Sequence, residues 1–135
     1  MKVTISRKVH FNSAHRLHNP AWNAVKNEEV FGKCNNPNYH GHNYVLKVKG
    51  DIDEETGYVM DTKVLNNILD REIVERFDHT NLNLDTEEFR DLNPTVENMA
   101  VVIHELISKQ IDKNKELTII LHETERNYVE YDGKI

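Results

Sequence analysis

Apolar and polar residues alternate near both ends of the chain, and apolar residues recur at helical spacing in its middle. Val3, Ile5, Val9 and Phe11 predict a strand over 2–14, because strand side chains repeat every two residues. Tyr44, Leu46 and Val48 predict a second strand over 42–50. The run Asp53-Glu54-Glu55-Thr56-Gly57 reads as a turn into Tyr58-Val59-Met60. Asp61 is a good N-cap for a helix whose stripe is Val64, Leu65, Ile68, Leu69, Ile73 and Phe77. A second helix opens at Asn93-Pro94-Thr95, capped by Asn93 or Thr95, with Met99, Ala100, Ile103, Leu106, Ile107 and Ile111 on one face. Strands over 116–122 and 127–132 close the chain, joined around Glu123-Thr124-Glu125-Arg126. From Arg16 to about Tyr39 the pattern is polar and irregular, which predicts a long functional loop.

The order ββααββ, with one apolar stripe per helix, implies an α+β fold: a four-stranded antiparallel sheet with two helices on one face. No repeat, linker or low-complexity segment divides it, so residues 1–135 are expected to form a single domain. Such a sheet has two open edges, which invite pairing with further subunits.

Composition narrows the class. No apolar run approaches the ~18 residues that span a bilayer, and the opening residues lack a secretion signal, so no membrane partner is expected. The net charge of −6 argues against a broad nucleic-acid surface, though not against a local basic pocket. The lone cysteine cannot form an internal disulfide and fits a cytoplasmic setting.

The candidate chemistry gathers at His15, Cys34, His40 and His42. His40-Gly41-His42 on an extended segment puts both imidazoles on one face. Antiparallel pairing of the first two strands would bring His15 alongside them, giving three nitrogen donors with a fourth position open, the pattern of a catalytic zinc. Iron would usually want a carboxylate, and none lies in this run. Ordinary surface histidines are the competing reading, and convergence on adjacent strand ends weighs against it. Cys34 sits in a polar loop beside Lys33, where a thiolate could close the metal site as a fourth ligand or act as a base beside an open one.

Asp78-His79 follows the first helix; a carboxylate beside an imidazole can form a proton relay, although a histidine interacting with a helix end is the commoner case. Glu123 ends a strand of apolar residues, so partial burial is expected. A carboxylate there suits a planar N–H/NH₂ edge, against the plainer alternative of a solvated turn acid.

These residues stand in segments that resemble the 6-pyruvoyl-tetrahydropterin synthase / 6-carboxy-tetrahydropterin synthase family. The segments are Phe11-Asn12-Ser13-Ala14-His15-Arg16-Leu17, Phe31-Gly32-Lys33-Cys34 through His42-Asn43-Tyr44, Phe77-Asp78-His79-Thr80-Asn81-Leu82, Pro94-Thr95-Val96-Glu97-Asn98 and Glu123-Thr124. The resemblance covers essentially the whole chain. It implies the tunnelling fold, with trimers closing a barrel and two trimers stacking into a hexamer. It implies Zn2+ on His15, His40 and His42, Cys34 as proton-abstracting base, Asp78 and His79 as the relay, Glu123 and Thr95 holding the pterin ring, and Glu123 also as a catalytic residue in proton transfer. The implied substrate is dihydroneopterin triphosphate, a small molecule, converted by a lyase that eliminates triphosphate; Arg16 and Lys33 are candidate cations for it. The five residues between Cys34 and His40 exceed the spacing typical of the relatives that make 6-carboxy-tetrahydropterin for queuosine, which favours the pyruvoyl product. Two positions depart from the pattern: Val96 replaces a frequent hydroxyl residue, and Tyr39 a small one. The alternatives are the carboxy product with release of acetaldehyde, or a non-catalytic zinc-stabilised pterin-binding oligomer.

Overall fold

The alternating segments at the start of the chain form two long strands, β1 (Lys2–His15) and β2 (Asn38–Asp51), paired antiparallel over their full lengths. The computed structural model describes the backbone of residues 1–15, 17–31 and 38–134; the side chains of residues 14, 15 and 38–42 lie outside that description. Register pairs Ile5 with Val48 and Val9 with Tyr44, so the alternating apolar positions of the two strands share one face. β4 (Glu116–His122) extends that face, with Leu117, Ile119 and Leu121 opposite Val48, Leu46 and Tyr44. β5 (Tyr128–Tyr131) adds the outer antiparallel strand.

A fifth strand departs from the predicted sheet. β3 (Thr80–Asn81) pairs parallel to β1 at Ser13 and Ala14, giving the order β3-β1-β2-β4-β5. Two residues are too few to show any periodicity, so the bridge depends wholly on the tertiary setting.

Helices cover the apolar face. Asp61 caps α2 (Thr62–Leu69) by accepting the Lys63 N–H at 2.9 Å. The predicted helix then passes through a π turn (Asp70–Val74) before α3 (Glu75–Phe77). In that turn Glu75 N–H donates to Asp70 O, a span of five residues. Leu65, Ile68, Leu69, Ile73 and Phe77 are buried as the stripe requires, whereas Val64 is exposed. The short α4 (Leu82–Asp85) buries Leu82, and α5 (Val96–Ser108) buries Met99, Ala100, Ile103 and Ile107. An aromatic chain ties the layers together: Phe11 meets Tyr44 at 5.9 Å and Phe77 at 6.2 Å, and Phe77 meets Phe89 at 5.8 Å.

The region predicted as irregular contains a helix, α1 (Ala24–Phe31). It has no apolar stripe, since Val25 and Val30 are exposed, and its one buried residue is Asn27. Asparagines build it instead. Asn23 Oδ1 accepts the Lys26 N–H at 2.8 Å, and Asn19 Oδ1 accepts the Ala21 N–H at 3.0 Å. Asn27 accepts the Asn19 N–H at 2.7 Å and donates through Nδ2 to Asn19 O at 3.0 Å and Asn23 O at 3.1 Å. Trp22 stacks on Phe31 with centroids 5.9 Å apart, under Lys26 Nζ at 4.3 Å.

Candidate functional site

The candidate residues come from four places in the fold. Cys34, Arg16 and Lys33 lie outside the described residues, as do the side chains of His15, His40 and His42. The backbone still sets the histidine positions. Register pairs Phe11 with His42, Ser13 with His40 and His15 with Asn38. Positions 15, 40 and 42 therefore belong to one register class of adjacent strands, shared with Phe11 and Ser13, both buried. Ser13 Oγ is buried without a hydrogen-bond partner among the described residues, directly across from position 40. An unpartnered hydroxyl beside three imidazole-bearing positions fits a polar centre with three nitrogen donors. The described side chains alone contain no group of three or more His, Cys, Asp or Glu able to hold a metal.

Asp78 and His79 stand at the edge of β1, next to these rows. The chain leaves α3 extended at Asp78 (φ −67, ψ 134) and turns left-handed at His79 (φ 57) before bridging at Thr80. A non-glycine residue at positive φ stores strain that the surroundings must hold in place. Here the hold is the main chain of Asn12. Its N–H donates to Asp78 Oδ1 at 2.8 Å, and its carbonyl accepts the His79 N–H at 2.6 Å. Asp78 Oδ2 is then 2.9 Å from His79 Nδ1, which leaves Nε2 as the outward nitrogen. The bond from the Asn12 amide holds the Asp78 carboxyl below the usual carboxylate range; the smaller effect of desolvation opposes it, and His79 and His10 act with the amide. The dyad is thus an anionic carboxylate orienting an imidazole, with the His79 side chain 80% exposed and Asp78 28%. Asn12 was not among the predicted residues. Its contribution is a main-chain group, which no side-chain pattern reveals.

Thr95, rather than Asn93, caps α5: its hydroxyl oxygen accepts the Asn98 N–H at 3.2 Å and keeps its own hydrogen to donate. Asn93 fixes the preceding turn. Its Oδ1 accepts the His18 N–H at 3.1 Å, and its carbonyl accepts from Thr95 N and Asn98 Nδ2, both at 2.8 Å. The residues after β1 are thereby joined to the start of α5. A cleft of about 710 Å³ follows this junction, lined in part by His18, Phe31, Asn81, Leu84, Phe89 and Asn93.

Glu123 departs from expectation: it is exposed. The apolar ladder of β4 ends at Leu121, and Glu123 already belongs to a turn closed by its own N–H donating to Asn127 O at 3.0 Å. It borders a cleft of about 600 Å³ on the sheet face away from the helices, with Lys8, His10, Asn43, His122 and Glu125. Register lines up His10, Asn43, His122 and Tyr128 in one row across four strands. His10 Nδ1 lies 2.6 Å from Asn43 Oδ1, and His122 packs on Tyr128 at 4.9 Å. Alternation marked these residues as outward-facing, but their alignment depends on register.

Comparison with known proteins identifies a family. A family model described as 6-pyruvoyl tetrahydropterin synthase matches residues 4–134. The chain is 41% identical over 132 residues to 6-pyruvoyl tetrahydrobiopterin synthase of Drosophila melanogaster, covering 96% of this chain and 79% of that protein. It is 39% identical over 135 residues to the protein of the same name from Homo sapiens, covering 98% and 93%. The solved structure of Caenorhabditis elegans 6-pyruvoyl tetrahydropterin synthase is similar at a TM-score of 0.86 and 36% identity, over 99% of this chain and 97% of that one.

Proposed function

We propose, from the premise that this chain belongs to the 6-pyruvoyl tetrahydropterin synthase family, that it is a lyase converting 7,8-dihydroneopterin triphosphate to 6-pyruvoyl-tetrahydropterin with elimination of triphosphate. The observation that carries this reading is near full-length similarity, in sequence and in fold together, to proteins of that name. The bonded Asp78–His79 pair supports it, because the reaction needs protons moved between carbon and oxygen and no external redox cofactor.

On this reading His15, His40 and His42 hold a zinc ion, which supplies Lewis acidity to the hydroxyl-bearing side chain of the substrate. Cys34, as thiolate, takes a carbon-bound proton. The Asp78 carboxylate stabilises positive charge on His79, so that His79 Nε2 can take up a proton and return it. Thr95 retains a hydroxyl hydrogen for a ring acceptor, and Glu123 offers two oxygens to a planar N–H/NH₂ edge. Glu123 stands exposed in a single chain, which suits a site completed by a second copy. The sheet supports assembly as well: β1 is joined on its outer side to β3 only at Ser13 and Ala14, which leaves its earlier residues for another strand. A hexamer built from two barrel-shaped trimers is the arrangement we infer. The whole of residues 1–135 is read as one synthase domain, and its place as the cytoplasm.

Product identification tests the reading. Zinc-loaded protein incubated anaerobically with 7,8-dihydroneopterin triphosphate should release triphosphate and a 6-pyruvoyl pterin without acetaldehyde. A 6-carboxy pterin with acetaldehyde would instead assign the queuosine-type reaction, and absence of turnover would remove the enzyme reading.

A further inference from the structure

We infer that the main-chain N–H and C=O of Asn12 are a positioning element for the reaction, a two-point clamp that orients the Asp78–His79 dyad from the edge of β1. The inference rests on the reading of that dyad as the proton relay. The clamp uses both polar atoms of one residue: N–H to the Asp78 carboxylate at 2.8 Å and C=O to the His79 amide at 2.6 Å. Together they occupy the slots that a neighbouring strand would fill, immediately before the true bridge at Ser13 and Thr80. Without the second bond the left-handed backbone of His79 lacks its local restraint. Without the first, Asp78 loses the donor that fixes which oxygen remains for His79 Nδ1. Among the described residues Asp78 meets no donor besides the Asn12 amide and His79, so the amide decides the orientation of the carboxylate.

Strand geometry makes the idea testable by substitution. The N–H and C=O of Asn12 point toward β3, so the pairing with Gly41 of β2 does not use them. Proline is tolerated at strand edges, where the missing N–H costs no ladder bond. Asn12→Pro therefore removes the donor to Asp78 and spares the β1–β2 ladder. Asn12→Ala keeps the donor and removes only an exposed side chain.

Steady-state kinetics on the zinc-loaded enzyme should show kcat for Asn12→Pro reduced about 10- to 100-fold with KM within about threefold, the signature of misplaced chemistry rather than lost binding. The acid limb of kcat should move to higher pH, since Asp78 then keeps only His79 and His10 to favour its anion. Asn12→Ala should cost less than about threefold, and in an Asp78→Asn background the proline should add less than about twofold. Retained kcat in Asn12→Pro, equal losses in Asn12→Ala, or an undiminished proline effect in the Asp78→Asn background would each overturn the inference. Carbon-13 titration of the Asp78 carboxyl gives a readout independent of turnover. Its midpoint should lie below the ordinary aspartate range in the parent protein and rise in Asn12→Pro; an unmoved midpoint overturns the clamp. A parent protein that shows this shift but no turnover would refute the enzyme reading and leave the clamp standing. Should Asn12→Pro not fold, an ester in place of the Phe11–Asn12 amide removes the same hydrogen and is read in the same two ways.

Discussion

Asn27 offers the sharpest test of how α1 is held. It is fully buried, and its side chain joins Asn19 and Asn23 by three bonds of 2.7 to 3.1 Å, with a longer contact to Trp22 O at 3.4 Å. Truncation to alanine does not orphan every partner equally. Asn19 O still accepts the Trp22 N–H, and Asn23 O still accepts the Asn27 N–H. The Asn19 N–H, however, loses its 2.7 Å acceptor. One stranded donor at about 1–3 kcal/mol, plus two further bonds at about 1 kcal/mol each, gives about 3–5 kcal/mol. The better helix propensity of alanine returns about 0.5 kcal/mol. Asn27→Ala should therefore destabilise by about 2.5–4.5 kcal/mol in urea titrations at fixed protein concentration. Asn27→Asp carries a sign as well as a size. Its second oxygen would face the carbonyls of Asn19 and Asn23 in a buried setting, so its folded pKa rises above the unfolded value of about 3.9. The folded form then binds the proton more tightly, and stability falls as pH rises from the unfolded pKa through the folded one. The deficit of Asn27→Asp against the parent should be smallest below about pH 4 and largest at neutral pH. A cost below about 1 kcal/mol for Asn27→Ala, or an Asn27→Asp deficit that shrinks as pH rises, would refute the reasoning.

Tyr44→Phe removes a buried hydroxyl that has no partner among the described residues; calorimetry should find it neutral or up to about 1 kcal/mol stabilising. In the parent, burial and then the charge of Asp70 push the Tyr44 phenol well above its usual range, so its ultraviolet ionisation step should be absent until the protein unfolds. Asp78 has a depressed folded pKa, so its stabilising contribution is complete above the unfolded value and is lost as pH falls through the folded one. Melting profiles of Asp78→Asn should accordingly be flatter below about pH 4 than those of the parent. Metal analysis separates the roles at the proposed zinc site. Cys34→Ala should keep zinc and lose about 10²- to 10⁴-fold in turnover, whereas His40→Ala should lose the zinc itself.

The long elements were legible because their burial follows a period. Val9, Phe11, Tyr44 and Leu46 declare the sheet face, and Leu65, Ile68, Leu69 and Ile73 the helix stripe. Asp61 and Thr95 declare helix starts through the chemistry of their side chains. α1 was not legible, because its buried contact is a polar residue and its valines face water. Nor was the exposure of Glu123, since an apolar run shows where a strand lies and not the residue at which the chain leaves the core. The Asp78-His79 pair was visible only as a dipeptide. Its geometry depends on Asn12, 66 positions earlier in the chain, and on a backbone angle that histidine adopts infrequently.

The π turn makes the helical run between Asp61 and Asp78 a counted object. Each residue in an α-helix advances the rotation by about 100°, so an inserted or deleted residue normally throws everything downstream out of phase. The wide turn at Asp70–Val74 already contains one residue more than a regular turn needs. Deleting one residue there would let the helix close into ordinary winding and leave α3 in phase, because the wide turn has already absorbed the extra residue. A second deletion has no such outlet: Phe77 would swing away from Phe11 and Phe89, and Asp78 from the Asn12 amide. Chain length in this segment thus acts as a clock for the dyad with one residue of slack: a variant shortened by two could remain well folded helix by helix and still present its carboxylate to the wrong side.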